Sequence, residues 1–133
     1  MDLKDKKILI AGAGISGVGA AALLGKAGIP AALYDGNEVL DKEAVIAKLP
    51  EGMSISFELG EFKTELADKY DMLILSPGIS IHKPVAKAFY DREKPVWGEI
   101  ELAAHFAKGK IAAITGTNGK TTTTALVGSI LRE

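Results

Sequence analysis

The chain has 133 residues, 16 Lys and Arg against 17 Asp and Glu, a formal net charge of −1, 47% hydrophobic residues and no cysteine. That length suffices for one domain with a buried core, and the charge balance offers no basic block or aromatic platform through which counterion release could drive nucleic-acid binding. Disulfides and thiolate metal sites are excluded, which fits a reducing compartment, and His82 and His105 lie too far apart, without a partner motif, to read as metal ligands.

In chain order, residues 8–24 read as a buried strand, a glycine turn and the first turns of a helix. Gly12, Gly14 and Gly17 stand in a G-x-G-x-x-G frame. The first glycine permits a tight turn, the second lets backbone approach a pyrophosphate, and the third lets the helix press onto the strand. Amides at the start of that helix, at the positive end of its dipole, favour a phosphate without a basic side chain. Residues 8–25 are also an uncharged run long enough for a membrane span or a signal-peptide core. A spanning helix would have to absorb all three glycines, whereas a strand-turn-helix needs them where they are. With Lys6 and Lys7 ahead of the strand, and Lys26 in the last helical turn before a Gly28 cap, the expectation is a soluble chain without a targeting segment.

A second strand, residues 31–34, closes on Asp35, Gly36 and Asn37, with Asp35 about 20 residues past the glycine frame, where an acid meets a ribose or base. Leu40, Ala44, Val45 and Leu49 are spaced for a helix over 40–49 that Pro50 and Gly52 stop. Residues 55–59 alternate as a strand, 62–69 form a short polar helix, and 72–75 are a buried strand broken by Ser76, Pro77, Gly78 and Ile79. A helix over 85–90, a strand over 95–97 and a helix over 99–107 follow. Glu99 and Glu101 in that last first turn serve the helix dipole, and Trp97 serves packing. This alternation predicts an α/β fold, a Rossmann-like parallel sheet of about five strands covered on both faces over residues 1–108. A switch point between the first and fourth strands gives the order 3-2-1-4-5. The glycine turn, the Asp35 loop and the Ser76 turn then open on one edge.

After the polar break Lys108-Gly109-Lys110 the pattern restarts over residues 109–133, the start of a second domain: a strand over 111–115, a loop Gly116-Thr117-Asn118-Gly119-Lys120-Thr121, and a helix over 122–131. Such a loop holds a nucleotide triphosphate: amides wrap the phosphates, the lysine ammonium neutralises the terminal oxygens, and the threonine hydroxyl ligates magnesium. The usual spacing would put a glycine at 114, where Ile114 stands, so the loop is a shortened form.

GTNGKT followed by a threonine run resembles the ATP loop of the Mur ligases, the cytoplasmic amide-bond ligases of peptidoglycan synthesis. GAGISG after the first strand, Asp35 after the second, SPGI after the fourth and GEIEL before the ATP loop are similar to the D-glutamate-adding branch over essentially the whole chain. The resemblance implies ATP and magnesium, with Gly116, Thr117, Asn118, Gly119, Lys120, Thr121 and Thr122 around ATP. Lys120 would lie on the β and γ phosphates and Thr121 on the metal, as the catalytic pair. It implies a sugar-nucleotide site in place of a dinucleotide site: Gly14, Ile15 and Ser16 at the UDP pyrophosphate, Asp35 and Gly36 at the uracil, Gly78 against the nucleotide. UDP-N-acetylmuramoyl-L-alanine and D-glutamate are then the substrates, joined through an acyl phosphate. Gly36 and Asn37 stand where a common form of the pattern has a hydroxyl residue and an arginine.

The resemblance also implies that the family's further domains lie beyond Glu133, and that these residues alone have no ligase activity. The apolar tail residues Ile111, Ile114, Leu126, Val127, Ile130 and Leu131 are expected to dock on the chain's own domain or to exchange with a second copy in a homodimer. The competing readings are a module that holds NAD through Gly12, Gly14, Gly17 and Asp35, and another family member such as the L-alanine-adding ligase. Gly119-Lys120-Thr121 separates the first of these, because a redox module has no use for it.

Overall fold

A computed structural model of the chain describes residues 2–132. Its strands are β1 (Ile8–Ala11), β2 (Ala31–Asp35), β3 (Ser56–Leu59), β4 (Met72–Leu75) and β5 (Val96–Gly98); its helices are α1 (Ile15–Lys26), α2 (Lys42–Ile46), α3 (Pro84–Tyr90), α4 (Glu99–Phe106) and α5 (Lys120–Ile130). The strands form one parallel sheet in the order β3-β2-β1-β4-β5, as the alternation of elements predicts. β1 is central, with Ile8 opposite Ala31 on one side and Met72 on the other.

The pleat distributes the apolar residues between two cores. Ile8, Ile10, Leu33, Met72 and Ile74 face the side covered by α1, α2 and α4. Leu9, Ala11, Ala32, Leu73 and Leu75 face the side covered by α3 and a 3₁₀ turn over Thr64–Asp68. With helices on both faces, every residue of β1 and β4 is buried, which is why these strands read as unbroken apolar runs without alternation. α1 follows β1 onto one face, and α3 follows the adjacent β4 onto the other. The connections therefore diverge and leave a crevice at the carboxyl ends of the two strands.

Local chemistry sets the ends of the elements. α1 stops in a Schellman arrangement: Gly28 has φ +72°, its N–H donates to Gly25 O at 3.0 Å and the Ile29 N–H to Leu24 O at 3.0 Å, while Ile29 and Leu24 are both buried. α2 is shorter than its apolar spacing predicts. The Asp41 carboxylate accepts the Ala44 N–H at 2.9 Å and so begins the helix after Leu40. Beyond Ile46 the bonds from Lys48 and Leu49 reach back only three residues, and this tight turn still carries Leu49 into the core. The helix read over 62–69 is likewise only the 3₁₀ turn Thr64–Asp68, which buries Leu66 and Ala67.

Two expectations for the tail are corrected. Residues 111–115 form no strand. A parallel strand exists only through a neighbour's ladder, and β5, the adjacent edge, pairs with β4 alone. α5 forms, beginning at Lys120, but does not dock. No residue of it is buried, and Leu126, Ile130 and Leu131 are 60–78% exposed. Both faces of the sheet are already covered by the other helices, so α5 has no part in either core. Among the described residues no helix is long and apolar enough to cross a membrane.

Candidate functional site

The crevice is built around the turn after β1. Gly12 sits at φ +98° with its N–H on Tyr34 O at 2.8 Å, and a Cβ there would meet Ser76 Oγ at 2.9 Å, so both conformation and space require glycine. Gly17 lies so close beneath the turn that a Cβ would stand 1.8 Å from Gly12 O. α1 is thus pressed against the strand end. Its first helical bond runs from the Val18 N–H to Gly14 O, it has no side-chain cap, and no acid occupies its first turn. The leading amides of the helix, at Ile15 and Ser16, are therefore free to meet an anion in the crevice. Ile15 itself is 93% exposed at the mouth.

Asp35 at the end of β2 braces this turn. Oδ2 accepts the Ala13 N–H at 2.9 Å, and Oδ1 accepts the Asn37 N–H at 3.0 Å. A carboxylate offers about four lone-pair sites, so acceptor capacity toward a ligand is left over. On the β4 side the Ser76 N–H continues the ladder to Ala11 O at 3.1 Å, and the Ile79 N–H closes a turn on Ser76 O at 2.9 Å, which brings Gly78 onto the same cavity as Gly36.

These pieces line a cavity of about 520 Å³ containing Gly14, Ile15, Ser16, Asp35, Gly36 and Gly78, every residue that the sequence assigns to the first site. A second cavity of about 420 Å³ shares Tyr34, Gly36, Gly78 and Ile79 with it and runs on to Phe62 and Lys83, so the two make one trough. The Tyr34 ring is held edge-to-face on Phe62 (5.4 Å, 76°), and its hydroxyl donates to Gly60 O at 3.2 Å. Burial, with Asp35 and Glu61 nearby, pushes the Tyr34 phenol above its ordinary pKa, so it stays neutral and donating.

Three glycines of the trough have no structural reason to be glycine. Gly14 has φ −74°, and neither Gly36 nor Gly78 has a positive φ. A Cβ at Gly14 or Gly78 would meet nothing within 4 Å, and at Gly36 only the Tyr34 hydroxyl at 3.9 Å. Their bare backbones face open space on the same trough. Tyr34, Ser76, Ile79 and Lys83 escaped the sequence reading as site residues. Ser76 and Ile79 show in the sequence as a turn at the site's edge and as the ends of the SPGI motif, Tyr34 only as a strand residue next to Asp35, and Lys83 through no pattern at all.

The residues of the second motif stand apart, on the tail. Gly116 (φ +155°) and Gly119 (φ +77°) shape the loop, the Lys120 ammonium donates to Gly116 O at 2.5 Å across it, and Thr121 and Thr122 lie exposed in the first turn of α5. A glycine loop with lysine and threonine at a helix start fits a polyphosphate and its magnesium. None of residues 116–122 lines the trough. Among the described residues no group of three His, Asp or Glu is gathered for a metal, so no acidic cluster backs Thr121. His105 packs between Trp97 (5.5 Å) and Phe106 (5.2 Å), and Glu101 accepts the Gly98 N–H at 2.6 Å at the start of α4.

Residues 6–98 match the family model described as Mur ligase MurD-like, N-terminal domain. The UDP-N-acetylmuramoylalanine--D-glutamate ligase of Lachnospira eligens is 53% identical over 131 residues, which is 98% of this chain and 29% of that protein. The protein of the same name from Lachnoclostridium phytofermentans is 46% identical over 99% of this chain and 29% of its own length. Among solved structures, a pseudomurein peptide ligase type C from Methanothermus fervidus aligns with a TM-score of 0.61 at 27% identity, covering 96% of this chain and 26% of that one. UDP-N-acetylmuramate-alanine ligase from Thermotoga maritima shares the fold, with a TM-score of 0.58 at 24% identity over 96% of this chain and 29% of its own. The chain thus spans about 29% of the length of the curated relatives it matches.

Proposed function

Because the chain belongs to the Mur ligase family through its MurD-like N-terminal domain, we propose that the trough binds the UDP part of UDP-N-acetylmuramoyl-L-alanine. In this reading the longer protein adds D-glutamate to that substrate in the cytoplasm. The observation that carries it is the set Gly14, Gly36 and Gly78, bare where neither backbone conformation nor packing asks for glycine. A ligand that must touch backbone explains all three. The amides of Ile15 and Ser16 take the pyrophosphate, and the flat slot between Gly36 and Gly78 takes the base beside Asp35.

The reading divides the chain near residue 108, after the last helix packed on the sheet. Residues 109–133 then belong to an ATP-binding unit, in which residues 116–122 hold ATP, Lys120 meets the β and γ phosphates, and Thr121 contributes an oxygen to magnesium. ATP, when bound, supplies the phosphoryl group that activates the substrate carboxylate. Lys120 exchanges its bond to Gly116 O for the phosphate oxygens and so neutralises them.

Calorimetric titration of the 133-residue chain with UDP and NADH tests the first site. UDP binding with no response to NADH is expected, and Gly78→Val abolishes the UDP signal while the melting temperature holds, since a Cβ there meets no protein atom. Binding of NADH in preference to UDP would favour a redox module. Undiminished UDP binding by Gly78→Val would remove the slot from the reading.

A further inference from the structure

Of the groups lining the trough, Lys83 has no task in the fold. Lys94 donates to two backbone carbonyls and Lys69 pairs with Glu58, whereas among the described residues the Lys83 side chain makes no hydrogen bond or ion pair. It is exposed, yet it lines the second half of the trough, beyond the slot between Gly36 and Gly78. Tyr34, which lines the same part of the trough, is held in place by Phe62 and by its bond to Gly60 O. A planar ring entering between the two glycines with its sugar toward α1 therefore brings its far edge into the part of the trough that Lys83 and Glu61 both line.

We propose that Lys83 reads that edge: its ammonium donates to a ring carbonyl oxygen, and it thereby selects uracil over cytosine at the base end of the trough. The proposal rests on the reading that the cleft takes a nucleoside diphosphate with its base beside Asp35. An ammonium is a donor without acceptor capacity, so it matches the carbonyl that uracil presents and opposes the amino group that cytosine presents at the same ring position. Glu61, which lines the same half of the trough, accepts the ring N–H that uracil has and cytosine lacks. Discrimination then comes from donor–acceptor matching, which separates close analogues better than shape does.

The test is titration of the 133-residue chain and its Lys83→Ala and Lys83→Gln variants with UDP, CDP and uridine. The side chain is exposed and unpartnered, so both variants keep the fold, which melting curves verify. Lys83→Ala is expected to weaken UDP and uridine alike by about tenfold, the loss of one charge-assisted hydrogen bond, and to leave CDP binding unchanged or up to about twofold stronger. Lys83→Gln, whose amide can turn an acceptor inward, is expected to gain affinity for CDP. Equal losses for UDP and CDP with uridine unaffected would make Lys83 a general attractor of phosphate and overturn the proposal while leaving the cleft assignment standing. Unchanged UDP binding by Lys83→Ala overturns it as well. A parent chain that binds neither UDP nor uridine overturns the cleft assignment, and this proposal with it.

Discussion

Replacing single glycines of α1 by alanine separates the physical reasons for which this helix contains them. At Gly17 the new Cβ would lie 1.8 Å from Gly12 O and 3.0 Å from Gly12 C. Both are backbone atoms of the turn after β1, against which Gly17 is buried, so α1 and the end of β1 must part by ~1 Å against close packing. Overpacking costs about 1–3 kcal/mol, and with no flexible neighbour to yield the upper end applies. For a chain of this size about 3 kcal/mol lowers the melting temperature by roughly 10 °C. At Gly19, in the same helix and exposed, a Cβ meets nothing within 4 Å, so alanine contributes its helix propensity of about 1 kcal/mol and raises the melting temperature by roughly 3 °C. At Gly25 the Cβ meets the tip of Met53 at 2.1 Å, a side chain that can swing away, and the gain in propensity and the loss of packing nearly cancel. Thermal unfolding followed by circular dichroism, with urea unfolding as a check, reads all three. Gly17→Ala melting within about 2–3 °C of the parent chain, or Gly19→Ala losing as much as Gly17→Ala, would refute the close approach of helix and turn on which the proposed anion site depends.

Asp35→Asn keeps an oxygen for only one of the two amides now held, at Ala13 and Asn37; a loss of about 1 kcal/mol in urea unfolding is expected, with a larger proportional loss of UDP affinity, since the freed turn must be reordered on binding. Burial and the hydrogen bond to Glu58 push the Tyr70 phenol up to about 12, above its unfolded value of 10, so its contribution to stability is whole below pH 10 and is lost as the pH climbs from 10 through 12. Tyr70→Phe should remove that part of the alkaline decline, and the latest tyrosinate step should vanish from an ultraviolet titration. Leu126 and Ile130 on α5 and Leu131 just after it, all exposed, should make the 133-residue chain self-associate in light scattering, and Leu126→Glu with Ile130→Glu should return it to a monomer; a parent chain that stays monomeric at high concentration counts against tail exchange.

How far the residues reveal the structure in advance depends on the range of the forces involved. The strand order could be read because strands alternate with helices, MLIL and ILIA are apolar without alternation as strands covered on both faces are, and a switch point between the first and fourth strands then gives 3-2-1-4-5. The length of α2 could not, because Leu40, Ala44, Val45 and Leu49 are spaced alike for one long helix and for a capped turn with a tighter one after it; a bond from the Asp41 carboxylate decides between them. Residues 111–115 mark the limit from the other side. IAAIT has the composition of a buried strand, but strand structure is a property of two segments, and no local pattern states whether the second is at hand.

The same division runs through the site. Gly12, Gly14 and Gly17 form one motif in the sequence, yet they are glycine for three reasons: a left-handed turn, open backbone toward the trough, and contact between helix and strand. Only the first reason is local. Asp35 is a case in which the motif alone conveys half of a residue's part: the motif directs it toward a ligand, whereas its geometry first makes it the clamp that holds the Ala13 and Asn37 amides. The two roles reinforce each other. A carboxylate fixed by two backbone bonds presents its remaining lone pairs in a set direction, so whatever the trough binds is spared the entropy of ordering that side chain. Lys83 has no such fixing, and its recognition of a base edge must come at the cost of stilling a flexible side chain. That contrast predicts an order of sensitivities: changes at Asp35 should alter affinity for every nucleoside diphosphate, whereas changes at Lys83 should alter the choice among them.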